Sequence, residues 1–94
     1  MRYFHCLWIH KDADDPVVIV DEIDDKRYEV RKVEIWRSGE IGWASRDSHT
    51  ENTRLGEDSI PSLEEINAEP VFSAVEITKE EFENYWRLAT SNIV

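Results

Sequence analysis

The segment Asp12-Ala13-Asp14-Asp15 carries three carboxylates in four residues. Paired carboxylates can hold a divalent cation or act as general acid and base. A calcium loop also needs a glycine and a distal glutamate at fixed spacing, and both are missing here. An acid and base pair needs one carboxyl buried enough to raise its pKa, which an exposed turn does not provide. We interpret the segment as a solvated acidic turn, and predict no catalytic residue, metal or cofactor.

The histidines and the single cysteine are the other reactive groups. His5 and His10 are five residues apart on one predicted strand, so they point to opposite faces, and His49 lies in a predicted loop. Cys6 lies on an apolar strand face, where burial makes a thiol inert. Arg54 is expected to pair with a nearby carboxylate. An enzyme is the least favoured class, because it would need an unseen pocket joining His49, Arg54 and a carboxylate.

The charge is strongly negative, with a net value of −10 from 21 acidic and 11 basic residues. Residues 12–25 carry seven carboxylates and no base, and residues 57–83 carry nine carboxylates against one lysine. Such a field repels phosphate backbones and anionic membranes, and it speeds encounter with basic proteins. Direct binding to nucleic acid or membrane is therefore disfavoured, and a basic protein is the expected partner.

Binding energy at protein interfaces concentrates in a few aromatic or desolvated charged contacts, while rim charges set the encounter rate. Trp43 is the candidate aromatic anchor. The predicted partner-binding residues are Asp12, Asp14, Asp15, Glu22, Asp24, Asp25, Trp43, Glu57, Asp58 and Glu64. Which acidic cluster makes contact stays open at this point.

The length of 94 residues predicts a single domain over residues 1–94, and a 40% hydrophobic content with ten aromatic residues predicts that it folds. The sequence shows no signal peptide and no apolar stretch near the roughly 20 residues that span a bilayer. A lone cysteine cannot close an intrachain disulfide, as expected in a reducing compartment. We therefore expect a cytoplasmic protein.

Apolar alternation predicts strands near residues 2–10, 17–20, 27–37, 40–45 and 71–77. The first is apolar on both faces, which is typical of a central strand covered twice. The apolar phase changes within residues 27–37 and predicts a β-bulge near Arg31 and Lys32.

Ser38-Gly39 predicts a two-residue hairpin turn that pairs Arg37 with Glu40 and Glu34 with Trp43. Small residues of the second strand would then face a helix and leave room for close packing. The tryptophans at positions 36 and 43 would share the other face, either as a second buried layer or as an exposed anchor patch.

Two capping boxes predict helix starts, at Ser62-Leu63-Glu64-Glu65 and at Thr78-Lys79-Glu80-Glu81. The first begins one short helical turn after a loop over residues 46–60. The second begins an amphipathic helix over residues 78–89, whose apolar side chains recur at helical spacing. The predicted fold class is α+β: an antiparallel sheet of four to five strands, with this C-terminal helix packed on one face.

Five segments, which cover most of the chain in order, carry a family resemblance. They are Leu7-Trp8-Ile9-His10, Arg27-Tyr28-Glu29-Val30-Arg31-Lys32-Val33-Glu34, Thr53-Arg54-Leu55-Gly56-Glu57, Ile60-Pro61-Ser62-Leu63-Glu64-Glu65-Ile66 and Ile77-Thr78-Lys79-Glu80-Glu81-Phe82. In these five segments the chain resembles a family of small, acidic bacterial domains of unknown function. Some proteins of this kind resemble immunity proteins of contact-dependent growth-inhibition and related polymorphic toxin systems.

The resemblance implies an immunity protein that covers the active-site cleft of a basic toxin, with a nuclease as the expected kind of toxin, and it assigns no catalytic residues. The alternative is a regulatory or scaffold binding module of a housekeeping complex unrelated to toxins.

Overall fold

The structure is a computed structural model that describes residues 1–91. Its elements are β1 (Arg2–Trp8), β2 (Val18–Ile23), β3 (Glu29–Ile35), β4 (Ile41–Ser45), α1 (Leu63–Asn67), β5 (Phe72–Ile77) and α2 (Lys79–Thr90). The strands form one antiparallel, five-stranded sheet in the order β4-β3-β2-β1-β5. This arrangement confirms the predicted α+β class, the C-terminal helix and the short helical turn.

Both helices begin at the capping boxes that the sequence predicts. At α2 the Thr78 hydroxyl accepts the Glu81 amide at 3.1 Å, and the Glu81 carboxylate accepts the Thr78 amide at 3.0 Å. Ser62 and Glu65 make the same reciprocal pair at the start of α1. Each box satisfies two backbone donors that a helix start otherwise leaves unpaired, so the ends are defined locally.

The apolar core lies between α2 and one face of the sheet. Phe82 of α2 is fully buried, with its ring 5.4 Å from that of Tyr3. Val20 of β2 and Val33 of β3, which are paired across the two strands, pack beneath it. Complete burial of a phenylalanine side chain contributes about 2–3 kcal/mol, so this contact anchors the helix.

The opposite face of the sheet is covered by the segment between β4 and α1. This segment runs along β3: the Lys32 ammonium donates to the Arg54 carbonyl at 3.1 Å, and the Gly56 amide donates to the Glu29 carboxylate at 2.5 Å. Further on, α1 lies against β5. The sheet is thus covered on both sides, as the two apolar faces of β1 indicate.

The β3–β4 hairpin differs from its predicted register by one residue. The Trp36 amide donates to the Glu40 carbonyl at 2.9 Å, which closes a turn of three residues, and Gly39 takes a φ of 93°. Val33 therefore lies opposite Trp43 instead of Ala44, and Glu34 lies opposite Gly42. The prediction of a two-residue turn was therefore wrong. Gly39 is the third residue of a three-residue loop, where it adopts the left-handed conformation.

The shifted register exchanges the two faces of β4, because side chains alternate along a strand. Trp43 lies on the helix side and meets the ring of Trp86 edge-on at 5.4 Å. Gly42 lies on the other side, where an added methyl group would overlap the side chains of Asn52 and Thr53. The small residues of β4 therefore admit the loop and not the helix.

The predicted bulge is present one residue earlier than expected. Glu22 pairs with Arg31 whereas Ile23 pairs with Glu29, so Val30 is the extra residue on β3. This extra residue reverses the phase of β3, which puts Glu29 and Lys32 on the loop side of the sheet.

Candidate functional site

The acidic run over residues 12–25 does not form one surface, because β2 passes through it. Six residues of strand separate the carboxylates of the 12–15 turn from those at 24 and 25, a separation of about 20 Å at roughly 3.3 Å per residue. Asp21 and Glu22 lie within β2 and point to opposite faces. The predicted contact residues therefore divide between the two ends of the sheet and its interior.

Glu22 is buried and makes its side-chain contacts within the fold. It is only 6% exposed, and its carboxylate accepts two hydrogen bonds from Arg31, at 2.6 and 3.1 Å. The same guanidinium reaches the Glu83 carboxylate at 3.0 and 3.1 Å and lies 4.8 Å from the centre of the Phe82 ring. Because this carboxylate is buried and paired within the protein, Glu22 is not available to a partner as the predicted contact residue.

Trp43 is half-buried against Trp86 and packs on the apolar core. The predicted register placed positions 36 and 43 on one face, either as a second buried layer or as an exposed anchor patch, and the observed register separates the two residues. Of these two tryptophans, Trp36 is the one on the loop side, at the hairpin end of the sheet, where its indole N–H donates to the Asp14 carbonyl at 3.1 Å.

We call the carboxylates around Trp36 the hairpin-end acidic cluster; it comprises Asp12, Asp14, Asp15 and Glu40. Two of them, Asp14 and Glu40, line a cavity of about 330 Å³ together with Ala13, Trp36, Ser38 and Asn52. The Asp12 carboxylate accepts the Asp14 amide at 2.9 Å and so shapes the turn. Within residues 1–91, no member of the cluster forms a salt bridge.

The turn-end acidic cluster lies at the other end of the sheet and comprises Asp24, Asp25, Glu57, Asp58 and Glu64. The guanidinium of Arg27 joins its two segments by donating to the carbonyls of Ile60 and Pro61, at 2.8 and 2.6 Å. Asp24 accepts the amides of Tyr28 and Lys26 and pairs with Arg46 at 3.3 Å. Hydrogen bonding from the Tyr28 amide is the main cause that lowers the pKa of Asp24, so this carboxylate holds the turn.

A second cavity of about 330 Å³ lies beneath α1 and the covering loop. Its walls are mainly apolar, and Asp21, Glu29 and Lys32 lie at its base. Asp21 is 9% exposed, and its Oδ1 atom has no hydrogen-bond partner within the described residues. Glu29 is also buried, and its carboxylate pairs with the Lys32 ammonium at 2.9 Å.

Burial, followed by the hydrogen bond shared with Glu29, raises the pKa of Asp21 well above its ordinary value. Burial alone would raise the pKa of Glu29 as well, yet the hydrogen bond from Asp21 and the Lys32 ammonium lower it. These opposite shifts make Asp21 the more weakly acidic member of the pair, because two adjacent buried carboxylates cannot both ionise cheaply.

Sequence reasoning missed this site because it counted Asp21 only as one of the seven carboxylates of residues 12–25. The signal was present, since Asp21 lies in a strand with buried Val20 and Ile23 close by. A carboxylate in the interior of a central strand is rarely buried without a functional or structural partner.

The other reactive groups of the described residues do not form a comparable site. Cys6 was expected in the core, but it is half-buried and lines the second cavity, where burial raises its pKa. Arg54 contacts the ring of His49 on the exposed loop and makes no salt bridge among the described residues, contrary to the expected carboxylate pairing. The described part of the chain also contains no group of three or more potential metal ligands.

Within residues 1–91, the longest apolar helical stretch falls short of what a membrane crossing requires.

No curated protein and no solved structure matches the chain. A family match covers residues 2–91, nearly the whole sequence, and includes all five strands and both helices. The chain belongs to the family DUF6881, a domain of unknown function.

Proposed function

We propose that this chain is an acidic protein-binding domain that docks a basic protein at the hairpin-end acidic cluster. The observation that carries the proposal is the cavity beside Trp36, in which an indole lies with the carboxyl-bearing residues Asp14 and Glu40. An aromatic face flanked by carboxylates suits a lysine or arginine side chain, which gains both charge pairing and a cation–π contact.

The hairpin-end cluster is a better candidate than the turn-end acidic cluster. Its carboxylates have no cationic partner among residues 1–91, whereas Asp24 at the other end is engaged with Arg46. It also has a concave surface in which a partner side chain loses contact with water. Interface energy concentrates at such desolvated pockets, while exposed rim charges mainly steer the approach.

Strand addition is disfavoured as the docking mode, because local groups occupy backbone positions along both sheet edges. On β4, the Thr50 hydroxyl accepts the Trp43 amide at 3.0 Å, and the Thr50 amide donates to the Trp43 carbonyl at 2.9 Å. On β5, the Asn67 side chain binds both the amide and the carbonyl of Ala74. A partner that recognises this chain therefore meets side chains and not free strand edges.

The finer proposal is an immunity protein that neutralises a basic nuclease toxin by covering its active-site cleft. The net charge of −10 supports it, since a nuclease cleft that binds phosphates is basic and attracts carboxylates. The alternative, a binding module of a housekeeping complex, predicts the same acidic contact but a partner without toxic activity.

Capture of partners from a lysate of the source organism, followed by mass spectrometry, tests the proposal with two matched variants. One variant carries Asp12→Lys, Asp14→Lys and Asp15→Lys, and the other carries Asp25→Lys, Asp58→Lys and Glu64→Lys. Both change the net charge by the same amount, so they differ only in location. We expect a basic partner on the wild-type chain, its loss from the first variant and its retention by the second.

Retention by the first variant with loss from the second would move the contact to the turn-end cluster and overturn the assignment. An acidic captured partner would overturn the proposal as a whole. A nuclease assay on the captured protein then separates the two finer functions. Inhibition at equal molar ratio supports immunity, and a partner without nuclease or other toxic activity supports the housekeeping module.

A further inference from the structure

The second cavity combines apolar walls with an unsatisfied polar floor. Ile19, Ile60, Ile66 and Phe72 contribute walls from β2, the loop, α1 and β5, and the buried Asp21 lies at the base. The Oδ1 atom of Asp21 has no donor within residues 1–91. An unsatisfied buried acceptor ordinarily costs about 1–3 kcal/mol, so this atom needs an explanation.

Charge around the cavity floor is also unbalanced. Three carboxylates, Asp21, Glu29 and Glu34, face a single ammonium, that of Lys32. Within the described residues, the cavity lining from the loop and α1 contains no titratable group, and β1 contributes only the Cys6 thiol. Burial and Glu29 raise the pKa of Asp21 and so favour its neutral form, which offsets part of this excess. A bound cation would perform the same task.

We propose that this cavity binds a small organic cation, namely an ammonium group on a short apolar body, whose N–H donates to Asp21. The apolar walls cover the body, and the volume of about 330 Å³ is at the lower end of the range for small-molecule pockets. This site is separate from the hairpin-end cluster and does not depend on the proposed protein partner.

Binding exchanges the cation for the proton. The ligand enters as R–NH3⁺, Asp21 changes from the carboxylic acid to the carboxylate, and one proton leaves to the buffer. No covalent bond forms apart from those of this proton transfer. The apparent affinity should therefore rise with pH, because less free energy is then needed to ionise Asp21, until Asp21 is already ionised in the free chain or the amine loses its own proton.

Three probes with the same six-carbon chain separate the requirements of the site. Hexylamine offers a charge and N–H donors, 1-hexanol offers a donor without charge, and hexyltrimethylammonium offers a charge without a donor. In calorimetric titrations we expect hexylamine to bind at least about tenfold more tightly than either analogue, since a hydrogen bond between charged groups contributes about 1.5–3 kcal/mol. Titration in two buffers of different ionisation enthalpy should show proton release with hexylamine and none with the uncharged 1-hexanol.

Asp21→Asn should remove the preference for hexylamine and the proton release, whereas the matched surface change Asp25→Asn should alter neither. Because Cys6 lines the cavity, hexylamine should also slow its alkylation by iodoacetamide in the wild-type chain, a readout that needs no variant. Equal affinity for the three probes, an unchanged preference in a folded Asp21→Asn chain, or no binding of hexylamine would each overturn the proposal.

Discussion

Loss of Arg31 should destabilise the protein far more than loss of an exposed arginine. Arg31 joins two carboxylates through four hydrogen bonds between 2.6 and 3.1 Å, and the Glu22 side chain keeps only 8% of its surface in water. Arg31→Met keeps the apolar stem over Phe82 but leaves Glu22 as a buried, unpaired charge. Removing one partner of a buried pair costs about 3–5 kcal/mol.

We expect the lower end of that range, about 3 kcal/mol, because Arg31 and Glu83 keep some contact with water. Their side chains are 20% and 28% exposed. Urea denaturation followed by tryptophan fluorescence measures this free energy of unfolding. The double variant Arg31→Met, Glu22→Gln should regain part of the loss, since it removes the stranded charge together with its partner.

Arg2→Met is the matched control, because Arg2 forms an ion pair with Glu76 at 3.1 Å but lies on the surface. It should leave the urea midpoint unchanged. If Arg31→Met were equally harmless, or if the double variant were less stable than the single one, the reasoning that assigns Glu22 to the fold would be refuted.

Three further changes test other parts of the structure by the same denaturation assay. Asp21→Asn should stabilise the chain at neutral pH. Burial and Glu29 raise the folded-state pKa of Asp21, so the stability that the protonated Asp21 contributes is lost as the pH rises through that pKa. The advantage of the variant should therefore vanish near pH 4, about the pKa of an unfolded aspartate. An advantage that stays constant with pH would contradict this. Phe82→Ala should cost about 3–5 kcal/mol through the core, and a loss below about 1 kcal/mol would contradict the packing seen here. Gly42→Ala should cost about 1–3 kcal/mol by overpacking, with amide chemical shifts changed at Asn52 and Thr53, and an unchanged stability would show that the loop does not pack on β4.

Much of the fold could be predicted because its signals are local. The capping boxes at Ser62 and Thr78 satisfy backbone donors within one turn of helix, so they need no tertiary information. The apolar spacing of α2 likewise specifies which side chains meet the sheet. Phe82 and Ala89 are buried there as the period predicts.

The hairpin register failed because two turn types share the same residues. Ser38-Gly39 is compatible with both a two-residue turn and the end of a three-residue turn, and local sequence does not separate them. One residue of error inverted both faces of β4. It therefore misplaced Trp43, since the face of every side chain on the strand depends on that register.

The candidate sites depended on long-range geometry that sequence reasoning could not supply. Charge counting along the chain joined residues 12–25 into one run, although strand β2 carries part of that run through the interior. The Asp21 cavity forms only where the loop and α1 close over the sheet, with Ile60 and Ile66 brought to the same place as Cys6. No spacing rule along the sequence connects those positions.

The most direct test of the proposed function is the ionic-strength dependence of association between this chain and its captured partner, followed by stopped-flow fluorescence. Exposed charges are screened beyond about 8–10 Å at physiological salt, so steering by surface carboxylates must weaken as salt is added. We expect the wild-type association rate to fall steeply with salt, and the fall to be shallow for the Asp12→Lys, Asp14→Lys, Asp15→Lys variant. Trp36→Ala should instead speed dissociation. An association rate that does not change with ionic strength would contradict the central claim that this acidic domain recognises a basic protein.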